Sequence, residues 1–285
     1  MRSSLECLPC LVRQAMEAAR HAARDEAEME ALLRKIMARL SRMDFREPPP
    51  AVAQGIHRII RRRTGVADPY REAKMRFNAM ALEFLPSFEK IIEASADPFT
   101  AALCLAVAGN VIDLGAKGDL TEREAFDAVK QALEEPLAGD LEGFRATALS
   151  AASILYLADN AGEIVFDAPL LRVLPEARVT VAVRGKPVIN DAVMDDAMAA
   201  GIADIVPVIE NGSDAPGTIL RDCSMAFRKA FRGADLIIAK GQGNYETLCD
   251  EDAPLWFLFK VKCATIAGHC GLEIGTHAVI QSGPR

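Results

Sequence analysis

Four short apolar runs in this chain end in residues that can bind or move charge. ILYLAD (154–159) closes on Asp159 and Asn160, and RVTVAVRG (178–185) closes on Arg184 and Gly185, leading to Asn190 and Asp191. DIVPVIE (204–210) ends at Glu210 with Asn211 next, and DLIIAKG (235–241) runs into Lys240, Gly241, Gln242, Gly243 and Asn244. If these runs are neighbouring strands, carboxylates, amide oxygens and one lysine converge. Such a set suits a hard divalent cation, because Mg²⁺ and Mn²⁺ prefer oxygen ligands and often bind through one or two carboxylates plus phosphate and water. An isolated Asp-Asn pair equally suits a helix cap or a turn. Recurrence at four run ends favours a site.

Gly162, just past the first run, would let backbone amides approach a phosphate at a helix N-terminus, where the dipole favours anions. KGQGN lacks the Lys-Ser/Thr of a Walker A loop, and no GxGxxG follows the first run, so the ordinary nucleotide-binding fingerprints are missing. Lys240 reads as a point charge aimed at phosphate or, equally, as a surface lysine whose stem covers apolar surface.

These residues need a scaffold, and the pattern supplies one. From Cys7 to about Ala148 apolar residues recur at three- and four-residue steps among abundant Ala, Leu, Glu and Arg, which predicts helices. Pro48-Pro49-Pro50 interrupts this half and opens a new helix at its end. After Thr147 short apolar runs, CATIAGH (263–269) the last of them, alternate with helix-length segments. That alternation predicts a mainly parallel sheet covered on both faces, with ligands outside the carboxyl ends of its strands. The expected organisation is therefore α/β: a helical domain over 1–147, a bundle, preceding a domain over 148–285 with a three-layer α/β/α core and the candidate metal site at its strand ends.

LADNAGEIVFD (157–167), RGKPVINDA (184–192) and AKGQGNYETL (239–248), in that order and with GNVID at 109–113, closely resemble the damage-control metal-dependent phosphatase family, also labelled ARMT-like and formerly a domain of unknown function. Cys7-Leu8-Pro9-Cys10 is typical of its prokaryotic branch. The resemblance covers most of the chain. It implies a helical portion packed on a three-layer α/β/α core, and hydrolysis of small phosphomonoesters, with sugar phosphates and phosphorylated or damaged metabolites as substrates. It implies a divalent metal, Mg, Mn, Co or Ni, held by Asp159, Asn160 and Asp191. Those three residues and Lys240, which corresponds to a phosphate-contacting lysine, form the expected catalytic set. Asn110 and Asp113 match a polar pair facing the pocket from the helical part, although a satisfied surface pair is the plainer alternative. With Gly162, Glu163 at the periphery, Arg184, Asn190, Lys240 and Asn244 they form the expected substrate-binding set.

The chain has 285 residues, half of them apolar, enough for a sizeable core. Net charge is −7, and the 33 basic residues are dispersed apart from Arg58, Arg61, Arg62 and Arg63, which predicts no nucleic-acid partner. That arginine run reads as a solvated helix face. No apolar run approaches the roughly 20 residues that cross a bilayer, and MRSSLECLPC lacks the core of a signal peptide, so the expectation is a cytoplasmic protein without a membrane partner. Seven irregularly spaced cysteines do not form a disulfide framework. One CxxC supplies half a zinc site, which Cys263 or Cys270 completes only if the chain ends meet. His21 and His57 are expected on surface helices, and His269 and His277 as structural residues after the last strand.

The expected mechanism is hydrolysis by metal-activated water, with an aspartyl-phosphate left open. The partner is a small phosphorylated metabolite, and a homo-oligomer is left open. Two other classes compete: a non-catalytic metal or phosphometabolite binder, and an S-adenosylmethionine methyltransferase, which DNAGE suits poorly because it offers one glycine and excess negative charge.

Overall fold

The computed structural model describes residues 1–110, 122–175 and 178–283. Apolar residues on alternate sides of each strand explain the architecture. Ile154 and Tyr156 of β2 (Ile154–Leu157) face one apolar core, with Phe88, Leu103, Phe144 and Phe166. Leu155 and Leu157 face another, with Phe227, Leu248 and Ile266. A sheet buried on both sides must be covered on both sides. The first face carries α4 (Arg71–Glu93), α5 (Pro98–Ala108), α6 (Glu122–Glu134), α7 (Leu141–Ser150) and α8 (Glu163–Val173). That face also takes α9 (Met194–Ala199), through Ala197; the second carries α10 (Met225–Gly233), α11 (Gly241–Leu248) and α12 (Ala264–Cys270).

The seven-stranded sheet has the order β1-β7-β6-β5-β2-β3-β4. Here β1 is Leu137–Gly139, β3 Val179–Val183, β4 Val208–Glu210, β5 Leu236–Lys240, β6 Leu255–Lys260 and β7 His277–Gln281. Every pairing is parallel except β6 with β7. From β2 the chain steps to β3 and β4 on one side and returns through β5 on the other, so the crevice at the switch point opens between the carboxyl ends of β2 and β5. The α/β expectation holds. The first three helices, α1 (Cys7–Ala22), α2 (Glu26–Leu40) and α3 (Pro49–Thr64), share a separate core of Leu11, Ala15, Ala18, Ile36, Ile56 and Ile60. The sheet's first strand, β1, lies before residue 148, and α4 and α5 share a core with β2 and β5.

Two strand readings need correction. CATIAGH is not a strand: Ala264–Cys270 is helix α12, begun at Cys263 and ended by Gly271 at φ 73°. The strand passed over is LWFLFK, β6, an apolar and aromatic run buried on both faces; the edge strand β1 has only three residues, too few to advertise itself, and β7, which pairs with β6 and β1 on its two sides, likewise lies outside the runs read as strands. The arginine run is not a plain solvated face either. Arg58 pairs with Asp214 and Asp222, and Arg61 pairs with Asp214 and donates to the Pro187 carbonyl at 2.8 Å, while Arg62 and Arg63 stay exposed. His57 is buried, and burial pushes its pKa down to about 3; His277 lies within β7, also buried. No helix among the described residues is long and apolar enough to cross a membrane.

Candidate active site at the β2–β5 switch point

Past Leu157 the chain leaves the sheet and meets the segment that follows β3. Ala192 N–H donates to the Asp159 carbonyl and Ala161 N–H to the Asn190 carbonyl, each at 2.8 Å, and Asn160 and Asp191 form an isolated antiparallel bridge. These bonds bring Asp191 beside Asp159. The return is tight enough that Ile189 adopts φ 45°, the one positive value outside glycine among the described residues. A β-branched residue resists that conformation, and Ile189 is held there by packing on the α1–α3 core.

Arg184, at the end of β3 and 1% exposed, ties the two acids together. Its Nε donates to Asp191 Oδ2 at 2.6 Å, its Nη2 lies 3.6 Å from Asp159 Oδ1, and its Nη1 reaches Asn244 Oδ1 at 3.2 Å. Asn244 is fixed in turn by Thr218 Oγ1, which donates to its Oδ1 at 2.8 Å, and by its own donation to the Lys240 carbonyl at 2.7 Å. Glu163, in the first turn of α8, belongs to the same cluster. Its Oε2 accepts from Asn110 Nδ2 at 2.6 Å and from Asn160 Nδ2 at 3.0 Å, and Asn160 Nδ2 also reaches Asp159 Oδ2 at 3.0 Å. Asn110 therefore does face this cluster from the helical half. Asp113 lies outside the described residues.

Lys240 departs from the sequence reading. It is neither at the surface nor aimed into open space: its ammonium is fully buried and engages Glu163 Oε1 at 2.9 Å, the Asp167 carboxylate and the Ala106 carbonyl. Burial works against its charge, but Asp167 and Glu163 outweigh burial and raise its pKa. Asp167 also accepts from the Tyr156 hydroxyl at 2.7 Å. Burial lifts its carboxyl to about 6 against the pull of Lys240, so the pair is ionised at neutral pH. Gly162 departs too. With φ 76° and ψ −54° it makes a turn that suits glycine, but its N–H is taken by Asn78 Oδ1 at 2.6 Å. Glu210 is exposed, and Asn211 accepts from Gly185 N–H and Ser213 N–H, holding a loop outside the cluster.

Three contributors escaped the sequence reading. Asp167 had a signal, since it lies four residues after Glu163 and so on the same face of α8. Asn78 and Thr218 had none, because they arrive from α4 and from the loop after β4.

The electrostatics favour a cation. Among the described buried residues around Asp159, four acids, Asp159, Glu163, Asp167 and Asp191, stand against two bases, Arg184 and Lys240, a formal excess of two negative charges with every acid ionised. Burial first, then Glu163 and Asp191, hold the Asp159 carboxyl well above its ordinary pKa, against the opposing pull of Arg184 and Lys262. Two buried polar atoms have no hydrogen-bond partner, Asn110 Oδ1 and Arg184 Nη2. A divalent ion would balance such an excess, and the oxygen and N–H without hydrogen bonds would serve a ligand beside it. Asp159, Asp191 and the Asn160 amide oxygen, whose nitrogen is already engaged, make a donor set that fits Mg²⁺ or a similar ion.

Residues 3–277 match the model of the damage-control phosphatase ARMT1-like domain. A protein of Archaeoglobus fulgidus described as a damage-control phosphatase is 39% identical over 230 residues, 79% of either chain. The damage-control phosphatase PH1575 of Pyrococcus horikoshii is 32% identical over 275 residues, covering 94% of this chain and 93% of its own. A crystal structure of a DUF89 family protein from Pyrococcus horikoshii matches the fold with a TM-score of 0.90 at 29% identity, over 99% of this chain and 100% of that one.

Proposed function

From the premise that the chain belongs to the damage-control phosphatase ARMT1-like family, we propose that it is a metal-dependent phosphatase acting on small phosphomonoesters, sugar phosphates and phosphorylated or damaged metabolites among them. The observation that carries this reading is the excess of buried acids over bases at the switch point, beside an arginine Nη2 and an amide oxygen that make no hydrogen bond.

A divalent cation bound by Asp159, Asn160 and Asp191 would neutralise charge on the phosphoryl group and lower the pKa of a bound water. Arg184 is held by Asp191 through Nε, so its Nη2 is left to donate to a phosphoryl oxygen, a task suited to a planar, permanently charged group. Asn110 Oδ1 is the acceptor available to the attacking water or to a substrate hydroxyl. Asn160 and Asn110 both donate to Glu163, which keeps their amides in one orientation. Lys240 acts from behind: it holds Glu163 and Asp167 while its own protons are fully used, so it braces the site instead of touching phosphate.

The test is phosphate release from p-nitrophenyl phosphate and a panel of phosphorylated metabolites, with Mg²⁺, Mn²⁺, Co²⁺ or Ni²⁺ and with EDTA. Metal-dependent turnover that vanishes in Asp159→Ala, with the fold retained, is expected. Undiminished turnover in that variant overturns the ligand set. Metal and phosphometabolite binding without turnover would make the protein a binder.

A further inference from the structure

A second cluster of metal-binding side chains lies away from the switch point, at the other end of α11. Cys249 directly follows this helix, Asp250 comes next, and His269 sits in the last turn of α12. One ligand atom from each of the three lies within 4.8 Å of the others. We propose that Cys249, Asp250 and His269 form a binding site for a borderline-soft divalent cation of the zinc type, which pins the end of α11 to α12. This proposal does not rest on the phosphatase reading.

The donor chemistry differs from that of the first cluster. A thiolate, an imidazole and a carboxylate match Zn²⁺, which accepts sulfur, nitrogen and oxygen together in four-coordinate sites and leaves the fourth position to water. Magnesium would not choose a thiolate. Binding transfers the Cys249 thiol proton to solvent as the sulfur–metal bond forms, so affinity rises with pH.

Two independent observations support the site. A positive group already sits in it: the Met1 nitrogen is 2.9 Å from Asp250 Oδ2 and 3.5 Å from Cys249 Sγ. The cluster therefore attracts cations, and a metal would take the place of that ammonium. The imidazole is also oriented, because Tyr245 Oη hydrogen-bonds His269 Nδ1 at 2.8 Å and its ring packs edge-on against the imidazole. Tyr245 is itself buried between Phe257 and Phe259 of β6, so the histidine is tied through it to the sheet. The CxxC pair is a separate feature. Cys7 and Cys10 are free thiols at the start of α1, and although Ser4 Oγ meets Thr265 Oγ1 at 2.8 Å, so that the N-terminal segment does reach α12, neither cysteine joins this cluster.

Cobalt(II) tests the proposal, because a thiolate ligand gives it a charge-transfer band that oxygen-only sites lack. The full-length wild-type protein, reduced and metal-free, should develop the band with one equivalent of Co²⁺ and lose it to added Zn²⁺. Cys249→Ser should abolish the band. His269→Gln, at an exposed position where the fold is not at stake, should weaken Zn²⁺ binding by at least ~10-fold in a chelator competition, and Tyr245→Phe by roughly 10-fold. The double variant Cys7→Ser with Cys10→Ser should keep the band unchanged. A wild type without the band, a band that survives Cys249→Ser, or one that disappears only in the Cys7/Cys10 variant each overturns the proposal.

Discussion

The Asp159 carboxylate occupies the space that a side chain at residue 241 would need. A Cβ built on Gly241 would come within 1.9 Å of Asp159 Oδ2, and Gly241 has φ +79°. The first glycine of KGQGN is thus required twice over, by its backbone conformation and by the acid packed against it. The two strand ends, β2 and β5, touch at this contact.

Gly241→Ala should therefore behave as an active-site mutation although the residue has no functional group. The strained conformation costs about 1–2 kcal/mol, and the displaced carboxylate should lower kcat/KM by roughly 100-fold. Parallel thermal melts and metal-dependent turnover check both numbers. Turnover within a few-fold of wild type would mean that Asp159 need not sit where it does.

Lys240→Met separates two roles. A lysine that brackets buried Glu163 and Asp167 leaves both uncompensated when removed, which should cost about 3–5 kcal/mol in denaturant unfolding. A lysine that contacts only phosphate would raise KM and leave stability nearly unchanged.

Asn78→Ala should act at a distance from the metal ligands. Asn78 accepts from Gly162 N–H at 2.6 Å and donates to Asp196 Oδ1 at 2.9 Å, both in buried surroundings. Its loss strands the Gly162 N–H at a cost of about 1–3 kcal/mol and loosens the turn that aims Asn160 and Glu163. Lower stability and lower kcat together are expected, and a fall in neither would disconnect α4 from the site.

Glu246 provides the pH dependence. Burial lifts its carboxyl from 4.5 to about 7, against the opposing effects of Gln242, the Met1 ammonium and Lys262. A raised carboxyl stabilises the fold fully below its unfolded pKa, and that contribution disappears as pH rises through the folded value. The wild type should thus lose on the order of 3 kcal/mol between about pH 4.5 and 7 from this residue, and Glu246→Gln should flatten the melting profile there. Identical wild-type and variant profiles would remove Glu246 as the source.

Much of this protein is legible in its sequence because strands and helices are written in short-range patterns. The runs ending at Asp159, Arg184 and Lys240 are strands, since short, predominantly apolar runs can be buried on both faces of a parallel sheet. Where the local signal is ambiguous the reading slips: CATIAGH and LWFLFK are both short and apolar, and only the second has the aromatic residues that fill a two-sided core.

The site divides along the same line. Which residues stand at the strand ends follows from the sequence alone, because a strand of known length places its last residue on a known edge. What each residue does there depends on neighbours supplied by the strand order β5-β2-β3 and by helices from the other half of the chain. Lys240 turns inward because Asp167, Glu163 and the Ala106 carbonyl are waiting for it, whereas Arg184 keeps one N–H unpartnered. Desolvation decides between those fates: a buried charge goes where its partners are, and only the tertiary structure determines where they lie.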